Sequence, residues 1–249
     1  MDFYRARIGP NKEDRIWNNT SQIKCILDDL ESKKDDIKHL QLSENSINTE
    51  VAIALSEKIK NIKNLEHADF SDIFVSRCKQ DLPPSLNSLI VSIEDKNIRI
   101  LNLSDNAFGP SGVSAFDFYL KKSTTLRELY IENCGLGPEG AESVALALGT
   151  NKNLILERLK IGRNRLESKG ASAFGSYFST ISTLVEFVAF QNGIKEEGMA
   201  NLLKGLKTNI NLQILKINDN LITGSSVNAL IELIASLEDL RVIDISDSK

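Results

Sequence analysis

One pattern of apolar residues recurs along most of the 249 residues: L-x-x-L-x-L-x-x-N, with substitutions. Its clearest copies are Leu126 to Cys134, Leu156 to Asn164 and Leu212 to Asn220. The copies end at Asn45, Phe70, Asn106, Cys134, Asn164, Asn192, Asn220 and Ser248, with spacings of 25, 36, 28, 30, 28, 28 and 28 residues. A chain repeating at this period is confined to architectures in which one small unit stacks on the next, because no unit can bury its apolar stripe alone.

The pieces of each unit follow from residue spacing. Alternation within L-x-L makes a short strand with its leucines inward and the intervening residues outward. After it come Gly-rich turns, Phe108 to Gly112 in one unit and Gly135 to Gly140 in the next, and then a segment of helical period. Met199, Leu202, Leu203 and Leu206 fall on one helical face. Strands separated by helices run parallel, so the expectation is an α/β leucine-rich-repeat solenoid, a horseshoe with a parallel sheet on the concave face and helices on the convex face. Residues 1–36 are expected to form an irregular amino-terminal cap that lays Ile23, Ile26, Leu27 and Leu30 over the first repeat, and 37–249 a single solenoid.

The Asn that closes each motif is expected to pair with turn backbone and with the next repeat, forming a ladder. Cys134 fills one rung as a structural thiol, whereas Phe70 cannot serve as one. The long spacing after Phe70 brings in Phe74 to Lys79 and the pair Pro83-Pro84. A broken rung beside an insertion suggests a loop kept for partner binding.

Several chemistries are disfavoured. Thirty Lys and Arg against 34 Asp and Glu leave a charge of -4, without the basic surplus that binds nucleic acid. Cys25, Cys78 and Cys134 have no paired spacing, which speaks against a disulfide framework or a zinc site. The amino terminus is charged and no stretch is apolar enough to span a bilayer, so the chain reads as cytosolic, and the acceptor patterns at Asn18 and Asn102 as chance. Gly135 to Gly140 matches a dinucleotide-binding pattern, but related glycine turns recur in neighbouring repeats. Only His39 and His67 are histidines and no phosphate loop is present, so neither autonomous catalysis nor a cofactor is expected.

The residue before each closing position gives the row Glu44, Asp69, Asp105, Asn133, Arg163, Gln191, Asp219 and Asp247, expected to point outward along the rim at the carboxyl ends of the strands. Five of the eight are acidic, and Arg163, Arg165, Arg77 and Lys79 punctuate them with positive charge. Such an edge suits a protein partner with a basic surface, because charge complementarity raises the association rate and sets register.

Five segments carry a resemblance: Asp69 to Arg77 (D-F-S-D-I-F-V-S-R), Leu103 to Pro110, Asn133 to Pro138, Gly162 to Glu167 and Gln191 to Ile194. In this order they resemble the Ran GTPase-activating protein family, over roughly residues 37 to 249. The resemblance implies a protein that does not itself hydrolyse GTP but grips the small GTPase Ran, with GTP and Mg bound to Ran, and completes Ran's own active site. It further implies work without an arginine finger, an asparagine at the position of Asn133 that orients Ran's catalytic glutamine, and Arg77 and Lys79 on the interaction surface with Asp69, Asp105, Arg163, Gln191 and Asp219. A Ran-binding protein as an accessory partner, a role in nucleocytoplasmic transport and a place at the cytoplasmic face of the nuclear envelope belong to the same set of expectations. Family members usually continue through further repeats into an acidic tail, whereas this chain stops mid-motif, as a fragment or a short form; Leu240, Val242, Ile243 and Ile245 are then expected at an uncovered edge. The competing expectation is a non-catalytic leucine-rich-repeat scaffold that binds a protein and accelerates nothing.

Overall fold

The computed structural model describes residues 2–11 and 13–248. Its elements in chain order are β1 (Phe3–Arg5), β2 (Ile16–Trp17), α1 (Lys24–Ser32), β3 (His39–Gln41), β4 (Ser46–Ile47), α2 (Thr49–Ile59), β5 (His67–Asp69), α3 (Leu82–Ile93), β6 (Ile100–Asn102), α4 (Asp117–Lys122), β7 (Glu128–Tyr130), α5 (Gly137–Thr150), β8 (Arg158–Lys160), α6 (Glu167–Phe178), β9 (Glu186–Val188), α7 (Glu196–Leu206), β10 (Ile214–Lys216), α8 (Ser225–Ser236) and β11 (Val242–Asp244). Among the described residues nine strands form one parallel sheet in the order β1-β3-β5-β6-β7-β8-β9-β10-β11, and β2 pairs with β4 beside it. The chain is a leucine-rich-repeat solenoid of strand, turn and helix.

In the main sheet each strand from β1 to β10 buries its central residue and the residue just past its end. Leu40 and Leu42, Leu101 and Leu103, Leu129 and Ile131, Leu159 and Ile161, and Leu215 and Ile217 are fully buried. In β5 the pair is Ala68 and Phe70, and in β9 it is Phe187 and Ala189, so a large residue at one position offsets a small one at the other and the layer stays filled. On the helical side Met199, Leu202, Leu203 and Leu206 of α7 are buried together. Helices α6 and α7 approach closely because Gly205 faces the Gly175 carbonyl, where a Cβ would come within 2.0 Å of the oxygen.

The second repeat is registered differently from expectation. Phe70 takes the second inward strand position, and the closing position falls on Ile73, whose N–H donates to Asn106 Oδ1 at 2.9 Å. The spacings around it are therefore 28 and 33 residues, and the extra length is shorter than the sequence pattern suggests. Elsewhere the ladder runs through Asn amides. Asn192 Oδ1 accepts from Asn164 N–H (2.8 Å), Asn220 Oδ1 from Asn192 N–H (3.1 Å), and Asn164 Oδ1 from Cys134 N–H (2.9 Å). Cys134 lends its thiol to the Leu103 carbonyl at 3.2 Å, and burial pushes that thiol up to about 12, so it packs and does not react.

At the amino end, β1 pairs with β3 in register Phe3 to His39, Tyr4 to Leu40 and Arg5 to Gln41. Ile23, Ile26 and Leu30 are buried in the common core and Leu27 is partly buried against it. At the other end Val242, Ile243 and Ile245 are exposed and Leu240 is half-buried.

Candidate functional site

The rim at the carboxyl ends of the strands is a row of left-handed backbone. Leaving each strand, the chain turns sharply one residue before the ladder position, and that residue takes positive φ: Glu44 (66°), Asp72 (49°), Asp105 (61°), Asn133 (53°), Arg163 (58°), Gln191 (50°), Asp219 (55°) and Asp247 (52°). Asp and Asn tolerate this region because their short polar side chains bond locally; Glu44, Arg163 and Gln191 sit there at a cost on the order of 1 kcal/mol each. All eight are exposed except the half-buried Asp72. Leucine spacing alone does not announce this conformation; a run of Asp and Asn just before a ladder residue is its signal.

This row corrects one expected site residue. Asp69 lies in β5 on the concave face, where its Oδ1 accepts from Ser71 N–H (3.1 Å) and Ser71 Oγ (2.6 Å), and the rim position of that repeat belongs to Asp72. The shift follows from the closing residue: with Ile73, and not Phe70, at the rung, the residue before it is Asp72. Burial, then the neighbouring carboxylates of Asp105 and Glu44, raise the Asp72 carboxyl above its ordinary range.

Arg77 is likewise placed differently from a free partner-binding residue. Its guanidinium donates to Ser46 Oγ (2.8 Å), Asn18 Oδ1 (2.7 Å), the Trp17 carbonyl (3.0 Å) and the Ser46 carbonyl (2.5 Å). These bonds staple the loop after β5 to the amino-terminal segment and the first repeat, leaving little of the fork for another molecule. Lys79, two residues on, is exposed and forms no ion pair among the described residues.

Along the rim the charges divide into bound and free. Glu44 is held by Arg5 (2.8 Å) and Arg15 (2.9 Å). Asp105 Oδ1 accepts a hydrogen bond from Asn133 Nδ2 at 2.8 Å, the one side-chain bond joining two rim positions among the described residues. Glu132, beside Asn133, is raised by burial, a shift that Lys160 opposes. Arg163, Arg165, Gln191 and Asp219 are exposed and have no ion-pair or side-chain hydrogen-bond partner among the described residues. The structure thus brings Asp72, Asp105, Asn133, Arg163, Gln191 and Asp219 onto one edge, and sets Asp69 and Arg77 apart from it.

The concave face differs. Arg158 pairs with Glu128 and, at 3.4 Å, with Glu186, while Lys160 reaches Glu186 at 3.1 Å and lies 4.9 Å from the centroid of the Tyr130 ring. At the opposite edge of the sheet from the rim, a cavity of about 530 Å³ is lined by His39, His67, Arg99, Ile100, Arg127 and Arg158 among others. The His39 and His67 rings stack at 3.6 Å, with Phe3 edge-on to His39 at 4.6 Å. Burial, then His67, lowers His39 to about 4, and burial lowers His67 as well, so the stack holds two neutral imidazoles at neutral pH.

No group of three or more His, Cys, Asp or Glu among the described residues is arranged to hold a metal ion, and no helix there is long and apolar enough to cross a membrane. Gly135 (φ 68°) and Gly137 (φ 62°) supply left-handed turn conformations, and Gly137 packs against Pro110 of the preceding repeat, which accounts for the glycine pattern without a nucleotide.

A family model described as Leucine Rich repeat matches residues 94–116, 122–145 and 152–175. The chain is 31% identical over 210 residues to the Ran GTPase-activating protein of Drosophila melanogaster, covering 80% of this chain and 35% of that one. It is 38% identical over 170 residues to Ran GTPase-activating protein 1 of Xenopus laevis, with 64% and 29% covered, and 33% identical over 218 residues to Ran GTPase-activating protein 1 of Saccharomyces cerevisiae, with 82% and 53% covered. The chain spans between about a third and about half the length of these relatives. In repeat pattern and architecture the chain is a leucine-rich-repeat protein, and in sequence it is similar to the Ran GTPase-activating proteins.

Proposed function

We propose that this chain is a GTPase activator that binds Ran in its GTP form, with Mg and nucleotide on Ran, and accelerates hydrolysis without being a hydrolase itself. The observation that carries this reading is its 31% to 38% identity to three proteins named as Ran GTPase-activating proteins. Hydrolysis needs an attacking water held in line and charge stabilised on the transferring phosphoryl group. Asn133 is the residue we assign to this step: its amide both donates and accepts, and it stands exposed on a backbone anchored by Asn133 N–H to the Gly162 carbonyl at 2.9 Å. In this mechanism Asn133 grips the catalytic glutamine of Ran and holds it against the water, and no arginine of this chain enters Ran's site. The acidic stretch around Asp72 and Asp105 faces a basic surface of Ran, and Arg163, Gln191 and Asp219 extend the contact along the edge.

Phosphate release from GTP-loaded Ran, in single turnover with and without catalytic amounts of the chain, tests the proposal. Asn133→Ala is expected to lose about 100-fold or more in the maximal rate while still binding Ran, since a contact that strengthens in the transition state contributes more to rate than to affinity. Arg163→Ala is expected to lose less than about 10-fold, against the 10³ to 10⁵ of an arginine finger. A wild-type chain that binds Ran and leaves its hydrolysis unchanged is a scaffold, and the proposal fails.

A further inference from the structure

We infer that Asp105 is a positioning residue for this reaction: it locks the Asn133 amide so that its oxygen, and not its NH₂, faces the partner. The inference rests on the proposed activation of Ran and adds a direction to it.

Asp105 and Asn133 occupy the same rim position in consecutive repeats. Their strands β6 and β7 are neighbours, the Asp105 N–H donates to the Glu132 carbonyl at 2.8 Å, and both residues are left-handed, at 61° and 53°. The two side chains therefore leave the sheet side by side, and Asn133 Nδ2 lies 2.8 Å from Asp105 Oδ1. An ionised carboxylate only accepts hydrogen bonds, so the amide can meet it through NH₂ alone. The chemistry of the neighbour therefore decides which end of the amide points where. Asn133 Oδ1 is left without a partner among the described residues, on the side away from Asp105. The next rim residue on that side is Arg163, a donor-only group, so both flanks favour the same orientation.

Orientation matters because a glutamine side chain also has two faces. An Asn133 that presents Oδ1 takes the glutamine by its Nε2–H and leaves the glutamine Oε1 free to accept a hydrogen bond from the attacking water. An Asn133 that presents NH₂ would take Oε1 instead and turn the glutamine NH₂ to the water, where it can accept nothing. One buried-free, solvent-facing hydrogen bond within this chain thus selects between a productive and an unproductive pose of the partner's residue, which is a contribution to rate.

The experiment uses three variants of the full chain. Asp105→Gly removes the acceptor while keeping a residue that adopts positive φ readily, Asp105→Asn retains an acceptor oxygen but adds an NH₂ that can meet Asn133 Oδ1 and so no longer fixes its direction, and Asn133→Ala removes the amide. At saturating concentration, single-turnover hydrolysis by Ran should fall about 3- to 10-fold in Asp105→Gly, the range expected when one hydrogen bond no longer biases the amide. Asp105→Asn should fall as well, by no more than Asp105→Gly, because its own amide can meet Asn133 either way round, and Asp105→Gly/Asn133→Ala should be no slower than Asn133→Ala alone. In the free chain, the Asn133 side-chain NH₂ resonances should shift in Asp105→Gly and exchange faster with water. The inference is overturned if Asp105→Gly matches wild type at saturation while Asn133→Ala is impaired, or if Asp105→Gly slows hydrolysis by the same factor with Asn133→Ala as without it, since Asp105 would then act independently of the amide. A wild-type chain that does not stimulate Ran at all instead removes the underlying proposal, and this inference with it.

Discussion

The two polar surfaces of the sheet use charge in opposite ways. On the concave face from β7 to β9, Glu128, Arg158, Lys160 and Glu186 are consumed by one another across neighbouring strands. On the rim, Asp72, Arg163, Arg165 and Asp219 have no ion-pair partner among the described residues, and three of these four belong to the left-handed row that closes the repeats. A lattice whose charges are already matched offers a partner little, because docking must desolvate it and return no better pairing. Unmatched charge on a costly backbone gives the chain nothing internally and is available to another molecule. The rim is for that reason the edge we propose for partner binding, with the concave lattice as part of the scaffold.

The largest expected effect comes from cutting the support beneath the rim. The buried Asn164 amide accepts from Cys134 N–H (2.9 Å) and donates to the carbonyls of Ile131 (2.5 Å) and Ile161 (3.1 Å). Asn164→Ala leaves several of these groups without a partner, at roughly 1 to 3 kcal/mol for each that water cannot reach. A loss of about 3 kcal/mol, read as a drop in melting temperature on the order of 10 °C, is expected. Because Cys134 follows Asn133 directly, GTPase stimulation should fall as well, although Asn164 touches no partner. A variant as stable as wild type would show that the ladder is dispensable and that the rim holds its shape by itself.

How much of this could be read from the sequence depends on whether the signal was local. The strand leucines and the helix face of α7 are local periodicities and stand where the spacing places them. The second repeat was misregistered because Phe70 occupies a strand position normally held by a leucine and Ile73 a rung normally held by an asparagine, so the pattern matched three residues early and gave Asp69 for Asp72. The Arg77 staple joins residues 31 to 60 positions apart, and nothing in the residues around Arg77 announces Trp17 or Asn18 as its partners. The concave lattice was legible in principle: Glu128, Arg158 and Glu186 stand in one register column, and reading the outward strand residues down the repeats finds their alternating signs. Asn133 as a functional residue came from resemblance, since spacing alone makes it one rim residue among eight.

A second test sets the two surfaces against each other through pH. His39 has a folded value of about 4, below its ordinary 6.5, so between those values the unfolded chain binds more protons than the folded one. The stability contributed by the neutral imidazole is present above pH 6.5 and is lost as pH falls toward 4. Asp72 runs the other way: its carboxyl is raised in the fold, so protonation is easier there than in the unfolded chain and acidification relieves it. Urea midpoints measured from pH 7 to pH 4 should fall for wild type and fall less for His39→Gln, while Asp72→Asn should raise the midpoint at pH 7. A wild-type midpoint that rises over the same range would mean that the rim carboxylates, and not the histidine stack, dominate the acid response.

The smallest effect separates the two surfaces by kinetics alone. Asp219 is exposed and unpaired at one end of the rim, and Arg158 is committed to Glu128 and Glu186 on the concave face. Screening over about 8 Å at physiological ionic strength confines an exposed charge to encounter and register. Asp219→Lys should therefore slow association with Ran by a fewfold at low salt, lose that effect at high salt, and leave the hydrolysis rate at saturation unchanged. Arg158→Ala should leave association within about 2-fold at any salt and cost the fold under about 1 kcal/mol, as partly exposed ion pairs generally do. Stopped-flow association across a salt series decides between them: if Arg158→Ala changes the rate and Asp219→Lys does not, Ran docks into the concave face, and the matched lattice is an interface that the rim merely borders.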